Sequence, residues 1–164
     1  MEHLSNLVVS ESELGNIARI LGRLMQDTGA SQVLLLDKSG QLISTQGQVG
    51  PRDMLALGAL LAGAFSSSRQ VAAILGERDF RDILQQGVHE SINTSLIGEQ
   101  WLLVVLFDKQ THVGLVKVLA RKATDELERV LERVRTGGTQ AKEQVVNVQF
   151  RSSVESTIDQ LFQD

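Results

Sequence analysis

The side chains able to do chemistry are few and scattered. There is no cysteine, which excludes disulfides, thiolate zinc sites, iron–sulfur clusters and cysteine nucleophiles. The three histidines are His3, His89 and His112. His89-Glu90 opens like H-E-x-x-H, where two histidines one helical turn apart hold zinc and the glutamate acts as base. Asn93 stands where the second histidine should be, so no metal site is expected. Carboxylates Asp79, Asp82 and Glu90 could meet in space, but their spacing does not set them apart from solvated loop acids. The chain contains no G-x-x-x-x-G-K-[ST], G-x-G-x-x-G or G-x-S-x-G, hence neither a nucleotide cradle nor a nucleophile elbow of the usual types. No cofactor is implied. Arg19, Arg52, Arg69 and Arg78 are available to pair with acids. An arginine supplied in trans to a GTPase is conceivable for Arg52 or Arg69, although a lone arginine is weak evidence. These residues describe a protein that acts by contact and has no catalytic residue of its own.

Composition narrows the contacts. Of 164 residues, 4% are aromatic and none is tyrosine, which disfavours platforms for stacking bases or sugars. A net charge of −4 disfavours a nucleic-acid binder or a polybasic membrane clamp. With 42% hydrophobic residues, the chain can build the core of one domain with some extension. Met1 to Ser10 lacks the pattern of a secretory leader. The richest apolar stretch, Met54 to Phe65, is short and broken by glycine, so no membrane span is expected and the default location is cytoplasmic. Asn93-Thr94-Ser95 fits the glycosylation pattern, which reads as chance without a leader.

Several periodic segments would position such contacts. Glu11 to Asp27 repeats Leu14, Ile17, Leu21 and Leu24 at helical spacing, with Ser10 or Ser12 to cap it and Gly29 to end it. Val33-Leu34-Leu35-Leu36 suits a strand buried on both faces. Asp37-Lys38-Ser39-Gly40 turns the chain into a returning strand over 41–45. A long helix is expected from about Pro51 to Leu75, stopping at Gly76. One of its faces carries Leu57, Leu60, Leu61, Val71 and Leu75, a core stripe. The opposite face carries Ala56, Ala59, Ala62, Gly63, Ser66, Gln70 and Ala73. That small-residue face is either alanine filler on an ordinary surface helix or a surface that lets another backbone approach closely. A solvated face normally carries Lys and Glu, and no charge occurs from Met54 to Ser68.

Residues 76–87 read as a polar connection anchored by Phe80. His89 to Ile97 alternates like a half-exposed strand. Trp101 to Phe107 is the strongest apolar run and the expected central strand. Gly114 to Leu119 reads as another strand, and Arg121 to Arg135 as a helix ended by Gly137-Gly138. The expected architecture is α+β: a five-stranded antiparallel sheet in the order α-β-β-α-β-β-β-α, covered by helices.

Beyond it, residues 137–151 read as a linker. Val145 to Phe150 alternates without an obvious partner. Ser152-Ser153-Val154-Glu155 is a capping box that would open an amphipathic tail over 152–164, with Val154, Ile158, Leu161 and Phe162 on one face. That face could dock on its own domain or fold on a partner.

Element order and local patterns together resemble the roadblock family of dynein-light-chain-like domains, and within it the MglB type, bacterial regulators of the Ras-like polarity GTPase MglA. The resemblance rests on the hairpin Val33-Leu34-Leu35-Leu36-Asp37-Lys38-Ser39-Gly40-Gln41-Leu42-Ile43-Ser44, on Leu60-Leu61-Ala62-Gly63, Leu75-Gly76-Glu77 and Val104-Val105-Leu106-Phe107-Asp108, on Ala120 to Leu127, and on the tail Ile158-Asp159-Gln160-Leu161-Phe162. It covers about residues 10–136, plus the tail. It implies a domain over 1–136 that pairs into a homodimer, extending the sheet and placing two long helices side by side. It implies one Ras-like GTPase bound across that platform and activated without an arginine finger, by repositioning of the GTPase's own residues, as in polarity and gliding motility. Carried over, Ala59, Ala62, Gly63, Ser66 and Gln70 become the GTPase contacts. The tail would touch a separate surface and tune affinity or nucleotide exchange. Ser66-Ser67-Ser68 departs from the Ala and Met expected there. A non-catalytic roadblock scaffold that localises a GTPase is the alternative.

Overall fold

The computed structural model describes residues 7–47, 52–78 and 80–161. Its elements are α1 (Glu11–Thr28), β1 (Gln32–Asp37), β2 (Leu42–Gly47), α2 (Met54–Leu75), β3 (Asp82–Gln86), β4 (Glu90–Ile97), β5 (Trp101–Asp108) and α3 (Val113–Leu161). The five strands form one sheet in the order β2-β1-β5-β4-β3, and every neighbouring pair is antiparallel. The architecture is the expected α-β-β-α-β-β-β-α.

Two differences of identity cancel within that order. Residues 82–86, expected as connection, are the edge strand β3. Its Asp-Ile-Leu-Gln-Gln sequence has only two apolar residues because one edge and much of both faces meet solvent. Residues 114–119, expected as a strand, are instead the first turns of α3. Val116 and Val118 alternate like strand residues, but the buried set on α3 runs Val116, Ala120, Ala123, Leu127 at helical spacing. Val118 stays exposed.

β5 is central, as its composition requires. Trp101 through Phe107 are each at most 2% exposed, since α1 and α3 cover one face of the sheet and α2 the other. Ile17, Leu21, Leu35, Leu103, Val105, Leu127 and Leu131 belong to the larger core. Leu34, Leu36, Leu61, Phe65, Val104 and Leu106 form the core under α2. β4 is not half-exposed as its alternation suggests, because α3 covers its polar face and buries Asn93 and Ser95. A buried Asn93 is also closed to glycosylation.

Local chemistry sets the helix ends. Ser10 Oγ accepts from Glu13 N–H to open α1, and Gly29 closes it at φ 75°. Asp53 caps α2 by accepting from Ala56 N–H at 3.0 Å, so this helix begins at Met54. Pro51, the expected start, lies outside the described residues. Gly76 ends α2 at φ 77°, as expected.

α3 does not stop at Gly137-Gly138. Its backbone stays helical through Leu161, 49 residues in all, about 74 Å at 1.5 Å per residue. Two interior glycines cost about 1 kcal/mol each relative to alanine, and helix formers on both sides carry the helix through them. Ser152-Ser153-Val154-Glu155 therefore lies inside a helix and does not open one. The last core residue on α3 among those described is Val134.

Candidate functional site: the outer face of α2

The rotation of α2 on the sheet is set where it meets the β1–β2 turn. Asp37 Oδ1 accepts from Ser39 N–H (2.9 Å), Ser39 Oγ–H (2.6 Å) and Gln41 N–H (3.0 Å), tying the turn together. Gly40 takes φ 94°, and a Cβ there would come within 2.5 Å of the Gly58 carbonyl oxygen. A Cβ on Gly58 would in turn run into the Gly40 carbonyl. Only two facing glycines allow this approach. With Gly58 pressed inward, the buried face of α2 is Gly58, Leu61, Ala62, Phe65 and Ala72.

This rotation corrects the expected division of faces. Of the stripe read as core, Leu61 is buried and Leu57 partly buried, whereas Leu60, Val71 and Leu75 are exposed. Leu55 and Ile74 are exposed as well, the latter at 86%. Of the expected GTPase contacts, Ala59, Gly63, Ser66 and Gln70 face outward. Ala62 does not; it is 7% exposed and packs in the core under α2. The outer face thus combines small residues with large aliphatic ones. Large exposed aliphatic side chains on one helix mark a contact surface more strongly than alanines alone do.

The face is smooth at its middle. A Cβ on Gly63 would meet nothing within 4 Å, so this glycine is not required by the fold. The two arginines weighed as fingers are both held by acids: Arg52 Nη2 lies 2.7 Å from Glu90 Oε1, and Arg69 Nη2 lies 3.7 Å from Glu99 Oε1. Among the described residues no group of three or more His, Asp or Glu side chains could hold a metal. Asp79 lies outside the described residues, so the expected meeting of Asp79, Asp82 and Glu90 does too. No described helix is long and apolar enough to cross a membrane. Of the tail residues, Ile158 and Leu161 are exposed. The side chain of Val154 and all of Phe162 lie outside what the structure describes.

Comparisons with known proteins agree with this architecture. The Roadblock/LC7 domain model matches residues 17–107. MglB of Myxococcus xanthus is 37% identical, with a TM-score of 0.69 over 71% of this chain and 95% of that one. The gliding protein MglB of Thermus thermophilus is 27% identical, with a TM-score of 0.74 over 78% of this chain and 97% of that one. Protein MJ0310 of Methanocaldococcus jannaschii is 28% identical over 111 residues, which are 68% of this chain and 96% of that protein. The helix with the uncharged outer face, the antiparallel five-stranded sheet and these likenesses converge: the chain belongs to the Roadblock/LC7 domain family, as a protein of the MglB type.

Proposed function

We propose that this protein is a homodimeric activator of GTP hydrolysis by a Ras-like, MglA-like GTPase, working in the cytoplasm in cell polarity or gliding motility. The observation that carries the reading is the outer face of α2, apolar and without charge from Met54 to Ser68, on a fold shared with MglB proteins. The large aliphatics Leu60, Val71 and Leu75 suit a second copy of the helix, and the free edge of β3 suits extension of the sheet. Ala59, Gly63, Ser66 and Gln70 suit close approach of the GTPase.

Activation needs no group donated by this chain. A GTPase whose competent arrangement is rarely populated turns over faster when a partner binds that arrangement preferentially. Each 1.4 kcal/mol of preference is worth roughly tenfold in rate. The fold over 1–136 would supply the platform. The segment 152–164, carried beyond it by 137–151, would tune affinity or nucleotide exchange.

The test is GTP hydrolysis by an MglA-like GTPase with and without the protein. Acceleration that disappears in Gly63→Arg/Ser66→Arg, with the dimer and fold intact, is the expected result. Binding with no change in turnover would replace activation by the scaffold reading. Neither binding nor acceleration would overturn both.

A further inference from the structure

On the side of the sheet away from α2, the seam between α1 and α3 forms an open groove of about 460 Å³. The chain carries a net charge of −4, yet this groove gathers Arg19 and Arg23 from α1 and Lys122, Arg129 and Arg133 from α3. It holds two carboxylates, Asp125 and Glu126. The five cations outnumber these two acids and Glu13 beside them. Arg133 is paired with Glu13 at 2.8 Å, just beyond the groove, and Arg23 stands a loose 3.6 Å from Glu126. Arg19 donates to the neutral Asn16 carbonyl. Among the described residues, Lys122 and Arg129 have no carboxylate partner. The packing of two helices holds these cations close together, and the pairs with Glu13 and Glu126 offset only part of their repulsion.

The shape of the groove limits what can use that charge. Arg133 meets Glu13 and Arg23 meets Glu126, so α1 and α3 run antiparallel along the groove. The lining runs over residues 16–23 of α1, about 11 Å, and 122–133 of α3, about 17 Å. Arg19 and Arg23 stand one helical turn apart on α1, as do Arg129 and Arg133 on α3, with Lys122 two turns before Arg129. Half-buried Ile20 is the apolar side chain open to the groove among them, since Val130 beneath is buried in the core. A third helix laid in the seam would present carboxylates one turn apart to these pairs and one aliphatic side chain to Ile20. A flat membrane surface would reach the rims and not the floor. A nucleic acid would be repelled by the chain as a whole and would find no aromatic in the groove to stack on.

We infer that the α1–α3 groove is a second docking site, taking an acidic amphipathic helix of a partner protein. This goes beyond the proposed GTPase contact and does not depend on it. Because the two surfaces lie on opposite faces of the sheet, both can be occupied at once, so the protein could hold a GTPase and an acidic partner together.

The experiment uses the full chain and a capped helical peptide of about 18 residues with glutamates along one face and a leucine among them, followed by fluorescence anisotropy. Saturable binding that weakens roughly tenfold between about 50 and about 300 mM NaCl is expected. Arg19→Glu/Lys122→Glu/Arg129→Glu should lose that binding and gain affinity for the same peptide with lysines in place of glutamates. The gain distinguishes lost recognition from lost folding, and a milder Lys122→Ala/Arg129→Ala variant should bind roughly tenfold more weakly with an unchanged circular dichroism spectrum. Gly63→Arg, on the opposite face, should leave peptide binding unchanged. No saturable binding, equal binding by the reversed variant, or binding to phosphatidylserine vesicles in place of the peptide would each overturn the inference.

Discussion

Gly58 and Gly63 lie five residues apart on one helix and do opposite things. Gly58 faces the Gly40 carbonyl and leaves no room for a side chain, whereas Gly63 faces open space. The helix gains from Ala over Gly at both positions by about 0.5–1 kcal/mol. At Gly58 the collision with a fixed turn should outweigh that gain, at about 1–3 kcal/mol for forced repacking. Chemical denaturation should therefore show Gly58→Ala less stable than the parent and Gly63→Ala more stable; a stabilised Gly58→Ala would mean that this contact does not orient α2. A second residue-scale prediction concerns Thr94, 3% exposed, whose Oγ1 is buried without a hydrogen-bond partner among the described residues. Burying an unpaired hydroxyl costs about 1–3 kcal/mol. Thr94→Val keeps the shape, removes that cost and should raise the urea midpoint; a lower midpoint would show that the hydroxyl is satisfied after all.

At the scale of elements, local signals are strongest where the chain closes or buries something. Ser10, Gly29 and Gly76 end their helices as the sequence indicates, and the Trp101–Phe107 run is the central strand because only a strand covered on both faces tolerates seven apolar residues in succession. β3 is invisible in the sequence because an edge strand has little to bury. The start of α3 passes for a strand because Val116 and Val118 satisfy period two, and six residues are too few to reveal the helical spacing that continues through Ala120 and Ala123. The outer face of α2 is ambiguous because two apolar arcs compete on that helix, and the Gly40–Gly58 contact, between residues distant in sequence, decides which one turns in. Packing of α1 on α3 carries its own prediction. The Glu13 carboxyl is held below the usual carboxylate range, first by the hydrogen bond from Arg133 and then by that from Asn16. A lowered folded-state pKa means that the contribution is present at neutral pH and fades as pH falls through it. The pair is exposed, so its effect is small. The stability difference between the parent and Arg133→Met should be greatest at neutral pH and shrink on acidification; a difference that grows in acid would reverse the sign assigned here.

For the whole molecule, the decisive arrangement is one sheet with α2 alone on one face and the α1–α3 pair on the other. Since the described core on α3 ends at Val134, cutting the chain after Gln149 should leave the thermal midpoint of the body unchanged and, under the proposed function, keep the dimer while altering GTPase affinity or nucleotide exchange. A body that unfolds or aggregates on truncation would instead favour a tail that docks on its own domain. Of the expected tail contacts, Ile158 and Leu161 are exposed side chains, available to a partner in the way this experiment requires.

By itself, the sequence determined what depends on neighbours along the chain: caps, turn glycines, the buried central strand, the antiparallel order, and the absence of any motif for chemistry. Its patterns also carried the likeness to the roadblock fold. Only the tertiary structure decided which arc of α2 meets solvent, that Ala62 turns inward while Leu60 and Ile74 do not, and that cations from helices about a hundred residues apart share one groove. Periodicity identifies the faces of a helix, but which face is buried depends on the surface it packs against. That surface is assembled from residues far away in the chain.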